Sequence, residues 1–297
     1  MKLGYVGLGK MGINMVLQMQ EGGFEVVTFN RSEKGRIDAK RKGVKVVTDS
    51  LEEMISGLRT PRLVWLMVSH DGVDQVFKQL LPLLQKGDTI IDGGNCFYKD
   101  TLRRATMLRQ KGIKFLDAGV SGGPSGARHG ACIMVGGDKP VFKKYERLFK
   151  ALSVPDGYLY AGSHGAGHFV KMVHNGIEYG MMQAMAEGFE ILKKSKFKLP
   201  LEKVARLYNH KSVIESRLVA WLENAYKAYG EDLKNISGTV AHTGEGEWTV
   251  KTAKTLGVPA PIISSSFLFR VKSKKTPSYS GKVLSALRNQ FGGHSIK

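Results

Sequence analysis

A chain of 297 residues with 42% hydrophobic and 9% aromatic content is long enough for about two domains, and its composition excludes a disordered polymer. Its formal charge of +19 points to anionic partners, whether nucleic acid, a membrane surface or small phosphorylated ligands. The basic residues are spread over apparent helix surfaces (RIDAKRKG, FKKYERLFK) rather than gathered in one arm, so charge alone selects none of these partners.

The chain opens on a strand-like KLGYVGLG, which lacks the apolar core and cleavage site of a secretory leader. No apolar run is long enough to span a bilayer. A reduced cytoplasmic setting without a membrane partner is therefore expected. Residues 2–29 read as strand, glycine turn, helix and strand. The turn, Gly7-Leu8-Gly9-Lys10-Met11-Gly12, has GxGxxG spacing. In that context Gly7 permits a tight turn, Gly9 lets the backbone approach a pyrophosphate, and Gly12 lets the helix pack on the strand. A plain glycine turn would not need an apolar strand before it and an apolar helix after it. After the second strand, an NAD enzyme usually places an Asp or Glu, about 20 residues past the turn. Here the residues are Asn30, Arg31 and Ser32. No carboxylate repels a 2′-phosphate and Arg31 can bind one, so NADP is expected, with NAD as second choice.

Strand and helix patterns alternate from VKVVT to KFLDAGV, which predicts a parallel sheet covered by helices. Ligands in such sheets bind beyond the carboxyl ends of strands. That rule selects Ser69, His70 and Asp71, then Gly93, Gly94 and Asn95, then Ser121, Gly122 and Gly123. Asn95 can donate to and accept from a polyhydroxylated substrate, and the glycines expose N–H groups to a carboxylate. Each could instead be a structural turn. ACIMVGG and GYLYAG read as further strands around a helix near 139–150. Cys96 and Cys132, the only cysteines, have neither CxxC nor metal spacing, so no disulfide framework and no metal centre are indicated. Beyond Ala161 helical periods dominate, at 166–194, about 201–228, about 247–272 and 280–290. The fold class predicted is an α/β Rossmann-type nucleotide-binding domain, residues 1–163, followed by an all-α C-terminal domain, residues 164–297.

The 166–194 helix carries Lys171, His174, Asn175 and Glu178 at i, i+3, i+4 and i+7, hence along one face. A solvated stripe is the alternative, but the flanking residues are apolar and cover the other faces. Buried charges must be paired or employed, so a polar cleft is expected here.

These residues resemble the decarboxylating 6-phosphogluconate dehydrogenase family, within the wider β-hydroxyacid dehydrogenase group. The resemblance spans essentially the whole chain: GLGKMG with NRS, DGGN at 92–95, GVSGGPSGARHG at 119–130, KMVHNGIEYG at 171–180, GEGEW with GVPAP, and the tail RNQFGGH at 288–294. The length is that of a short form. The resemblance implies Lys171 as general base and later acid, and Glu178 as second acid. Asn95, Ser121, Gly122, Gly123, His174, Asn175 and Tyr179 are implied as substrate contacts, and Val68, with Asn95, as lying beside the nicotinamide. Arg270, Arg288 and His294 are implied to bind a sugar phosphate, the last two from a neighbouring subunit of a homodimer or homotetramer. The substrate implied is 6-phosphogluconate, a phosphorylated sugar acid, and the product ribulose 5-phosphate. Thr243, His242, Glu247 and the VSHDG stretch at 68–72 depart from the family pattern. Rival readings are another β-hydroxyacid dehydrogenase, acting on hydroxyisobutyrate or a semialdehyde, and a basic nucleic-acid-binding protein. The latter is disfavoured by the absence of any recognised nucleic-acid motif, so no nucleic-acid partner is expected.

Overall fold

The computed structural model describes residues 1–297 and divides into two compact units, Met1–Lys171 and Met172–Lys297. The first alternates strands and helices: β1 (Lys2–Val6), α1 (Lys10–Glu21), β2 (Glu25–Phe29), α2 (Glu33–Arg41), β3 (Val46–Thr48), α3 (Leu51–Ser56), β4 (Leu63–Leu66), α4 (His70–Leu80), β5 (Thr89–Asp92), α5 (Tyr98–Gln110), β6 (Lys114–Ser121), α6 (Gly123–His129), β7 (Ala131–Gly137), α7 (Lys139–Leu152) and β8 (Ser153–Gly162). They form one sheet in the order β3-β2-β1-β4-β5-β6-β7-β8. The order reverses at β1 and β4, the crevice where such folds bind ligands.

Successive residues of the strands point to opposite faces, and both faces are apolar. Leu3, Tyr5, Val26, Trp65, Ile91 and Leu116 face a core with α1 and α7. Val6, Val27, Val64, Leu66, Ile90 and Phe115 face a second core with α3, α4 and α5. Burial on both sides is what makes these strands near-continuous apolar runs.

The stretch read as a parallel sheet is parallel through β6, and one pairing beyond it is not. β6 and β7 run antiparallel, with Ser121 opposite Cys132 and Leu116 opposite Gly137. The chain between them, residues 122–130, is too short for a crossover that restores strand direction, which takes a dozen or more residues. It reverses instead through α6.

The second unit is helical. It takes most of α8 (Ala166–Lys194), then α9 (Leu201–Tyr208), α10 (Arg217–Tyr229), α11 (Glu245–Thr255), α12 (Pro261–Ser273) and α13 (Tyr279–Gly292). Two periods expected as single helices are broken. The 201–228 stretch is interrupted before Ser216, whose hydroxyl accepts from Val219 N–H and starts α10 afresh. The 247–272 stretch is cut by Gly257 and by Pro259 and Pro261, the latter opening α12. Met182, Ala186 and Phe189 of α8 pack with Leu218, Leu222 and Tyr226 of α10 and with Val283, Leu284 and Leu287 of α13. No helix is long and apolar enough to cross a membrane.

Two glycines of this unit predict opposite stability effects. A Cβ on Gly281 would lie 1.9 Å from the Gly238 carbonyl oxygen, whereas one on Gly188, inside α8, would meet nothing within 4 Å. Gly281→Ala should destabilise by about 1–3 kcal/mol. Gly188→Ala should stabilise by about 0.5–1 kcal/mol. Urea unfolding midpoints check both signs.

Candidate active site

The glycine turn lies between β1 and α1, at the strand-order reversal. Gly7 has φ +107°, and a Cβ there would lie 2.3 Å from Met67 O. A Cβ on Gly12 would lie 1.9 Å from Gly7 O, so this position admits only glycine while α1 stays in place. Gly9 faces open space, with no heavy atom within 4 Å of a Cβ. It is also the N-cap of α1 and offers no side chain to the first-turn N–H groups. Open space in front of an uncapped helix N-terminus fits an anionic pyrophosphate. Leu8 is buried, Met11 half-buried and Lys10 exposed.

Asn30 acts on this turn from the end of β2. Its Oδ1 accepts from Leu8 N–H at 2.9 Å, and its Nδ2 donates to Ser32 O at 3.2 Å and Ser32 Oγ at 3.0 Å. Ser32 Oγ in turn accepts from Gly35 N–H and caps α2. Arg36 Nη1 donates to the carbonyls of Asn30 and Arg31, and its Nε pairs with Asp49 at 3.1 Å. Asn30 and Arg36 therefore shape the loop, and Arg31 is left exposed on it, its Nη1 3.4 Å from Gln75 Oε1.

At the end of β5, fully buried Asp92 accepts from Gly94 N–H at 3.0 Å and bends the chain into exposed Asn95. A Cβ on Gly94 would lie 2.7 Å from the carbonyl of half-buried Val68, so the loop packs on the end of β4. At the end of β6, Ser121, Gly122 and Gly123 are half-buried, the two glycines at φ +123° and +63°. Lys171 is 8% exposed. A Cβ on Gly119 would lie 2.3 Å from Lys171 Cβ, so glycine at 119 lets α8 lie against β6 two residues before Ser121.

Two residues that hold this helix escaped the sequence reading. Asp117 on β6 is fully buried; its Oδ1 accepts from Gly165 N–H at 2.8 Å and its Oδ2 from His168 N–H at 2.9 Å, capping α8 from outside the helix. His168 is 1% exposed, with Nδ1 2.7 Å from Thr101 Oγ1 and Nε2 3.1 Å from Asp92 O. A polar residue inside an apolar strand was the available signal for Asp117. Asp92, Cys96 and His168 bring ligand-type atoms within 4.8 Å of one another. The chemistry does not suit a cation: both His168 ring nitrogens are engaged and Arg104 Nη1 lies 3.7 Å from Asp92 Oδ2. Burial, and then the Asp92 carboxylate, push the Cys96 thiol well above its usual range, so it stays protonated.

In the second unit, Glu245 at the start of α11 is the centre the sequence reading did not single out. It is 5% exposed and accepts from Asn175 Nδ2 at 3.2 Å and from Thr243 Oγ1 at 2.7 Å. His174 Nδ1 lies 2.9 Å from Asn175 Oδ1 and 4.0 Å from Glu178 Oε2. The amide oxygen only accepts, so Nδ1 carries the proton in this arrangement. Tyr179 is buried, with the Arg270 guanidinium carbon 3.3 Å from its ring centroid. Burial raises the Tyr179 phenol, against the pull of Arg270. Burial lowers both Arg270 and Arg288, and Arg288 adds repulsion at Arg270. Two buried guanidiniums beside one tyrosine favour an anion as their third party.

Arg288 is 6% exposed within its own chain, in the field of Tyr179, Glu245 and Glu178. His294 lies past the end of α13, its ring 6.2 Å from that of Phe291 and its carbonyl accepting from Asn289 Nδ2 at 2.8 Å. The tail is thus folded back on α13.

Comparison with known proteins agrees along the chain. Residues 2–162 match the NAD-binding domain of 6-phosphogluconate dehydrogenase, and residues 167–290 match the C-terminal domain of 6-phosphogluconate dehydrogenase. The Bacillus subtilis protein YqeC, itself named only provisionally as a 6-phosphogluconate dehydrogenase, is 48% identical over 100% of this chain and 99% of its own. A Haloferax volcanii protein named as an NAD(+)-dependent, decarboxylating 6-phosphogluconate dehydrogenase is 38% identical over 100% and 98%. A solved Plasmodium falciparum 6-phosphogluconate dehydrogenase superposes with a TM-score of 0.81 at 30% identity, over 94% of this chain and 66% of that one.

One departure from the family pattern, His242, yields a pH prediction. Its ring packs edge-on against Phe267 at 5.2 Å, and its Nδ1 is buried without a partner. Burial lowers its pKa, opposed by Glu247 and reinforced by Lys274 and Arg270. The neutral ring is favoured in the fold, so the unfolded chain takes the proton first. Stability should fall as pH drops below about 6.5. His242→Gln should flatten that decline between about pH 6.5 and 5, as read from urea unfolding at stepped pH.

Proposed function

The chain belongs to the 6-phosphogluconate dehydrogenase family, and from that premise we propose that it oxidatively decarboxylates 6-phosphogluconate to ribulose 5-phosphate and CO2, reducing NADP. The observation that carries this reading is Lys171, a buried amine on the one helix whose same face continues through His174 and Asn175 to Glu178. Oxidising the hydroxyl β to the carboxylate needs a base at that hydroxyl, and Lys171 removes its proton. The nicotinamide, when bound, takes up the hydride. The β-keto acid so formed loses CO2 readily, and the enediol that remains must be protonated at C1. Glu178, two helical turns from Lys171, supplies that proton. Asn95, Ser121 and the glycines after it hold the hydroxyls and carboxylate. Arg270 and Arg288 take the phosphate, and His294 from the tail of a neighbouring subunit completes that group. A small hydroxy acid without phosphate would bring the two buried guanidiniums no second anion, which argues against the hydroxyisobutyrate-type alternative.

Cofactor choice rests on Arg31, exposed beside an anion-ready turn with no carboxylate at position 30. A charge-assisted contact from Arg31 to a 2′-phosphate is worth about 1.5–3 kcal/mol. Arg31→Ala should therefore raise the NADP KM by about 10–100-fold and move the NAD KM little. Steady-state kinetics with both cofactors decide this; a wild type that prefers NAD, as the haloarchaeal relative's name says of that protein, would refute it.

The proton roles have their own test, in an assay that follows reduced cofactor and CO2 together. Lys171→Met should cost about 10²-fold or more in hydride transfer. Glu178→Gln should slow turnover while leaving the substrate KM close to wild type. Near-normal turnover by Lys171→Met would defeat the assignment.

A further inference from the structure

We infer that His168 and Thr101 form a clasp that positions Lys171, a role that rests on the reading of Lys171 as the general base. His168 precedes Lys171 by one helical turn on α8, and its ring is fixed at both ends. Asp92 O can only accept, so Nε2, 3.1 Å away, carries the ring proton. Nδ1 then accepts from the Thr101 hydroxyl at 2.7 Å, a closer contact than the 3.3 Å from that hydroxyl to Phe97 O. The backbone of the same residue is held by Asp117 at 2.9 Å. With main chain and side chain both tied, the first turn of α8 has one seat.

The other end of the clasp makes it specific to the reaction. The residue whose carbonyl receives Nε2–H is Asp92, and its carboxylate also receives Gly94 N–H, one residue before Asn95. His168 therefore links the turn that carries the base to the loop that carries Asn95. All of these groups are in the first unit, and Asp92, Thr101, Asp117 and His168 are each at most 1% exposed. Any buried imidazole needs partners for its two nitrogens; what distinguishes this one is that its partners belong to α5 and to the strand that leads into Asn95. Base and substrate contact must keep a fixed separation through proton transfer, because small misplacements of reacting groups are costly in rate.

Thr101→Val keeps the side-chain shape and removes the hydroxyl. It should lower kcat about tenfold or more, with both KM values within about twofold of wild type. Amide exchange over residues 166–171 should accelerate in parallel. Thr101→Ser, which restores the hydroxyl, should recover kcat and protection together. If the valine chain does not fold, Thr101→Ala, which also removes the hydroxyl, serves in its place. A core-filling role predicts instead a lowered unfolding midpoint with kcat per folded site unchanged, and that result overturns the proposal, as does a serine variant no better than valine. Wild type is assayed alongside on 6-phosphogluconate with NADP and with NAD. Inactivity there overturns the functional reading, while the exchange measurement still decides whether the clasp exists.

Discussion

The close seating of α8 against β6 and β7 is the constraint on which the rest depends. It is achieved by removing side chains and adding one charge. Cβ atoms on Gly119, Gly136 and Gly167 would each strike the opposing element at 2.3–2.7 Å, so three glycines define the contact. Asp117 then satisfies two N–H groups at the helix start, where an unmet donor would be costly in a dry interior. The carboxylate also faces the positive end of the helix dipole, which offsets part of the cost of burying it. Lys171 is delivered to the end of β6 because the helix has nowhere else to sit.

The charge of +19 acquires a more local meaning in the structure. Most of it is solvated, but two places in the fold have the chemistry to receive an anion. At α1, backbone N–H groups face open space beside Gly9 and need no side chain to receive a phosphate. At Tyr179, two guanidiniums are buried outright, with burial weakening their hold on the charge. The first is a preformed backbone site; the second is a buried cation pair that an anion would stabilise.

What the sequence disclosed was local. Glycine spacing after an apolar strand located the nucleotide turn, and the i, i+3, i+4, i+7 pattern located Lys171 and Glu178, because both signals lie within one or two elements. The long-range partners stayed hidden. Asp117 meets His168 across 51 residues, and Asn175 meets Glu245 across 70. Asn30 was legible as a cofactor-loop residue, but not as the amide that braces Leu8. The direction of β7 was left open, because strand direction follows from the connection and not from the pattern inside either strand. The two broken helical periods were missed for a similar reason, since apolar spacing continues across a gap that a serine cap or a proline creates.

That antiparallel pairing has a practical corollary. Cross-strand partners project to the same side of a sheet, so Cys132 stands beside Ser121 on the neighbouring strand. Cys132 is exposed, whereas the other thiol, Cys96, is sequestered and kept protonated. Nature has thus left a single addressable sulfur one strand from the proposed substrate loop. An environment-sensitive dye attached there would report ligand arrival in the unmutated chain, without engineering a label into the protein.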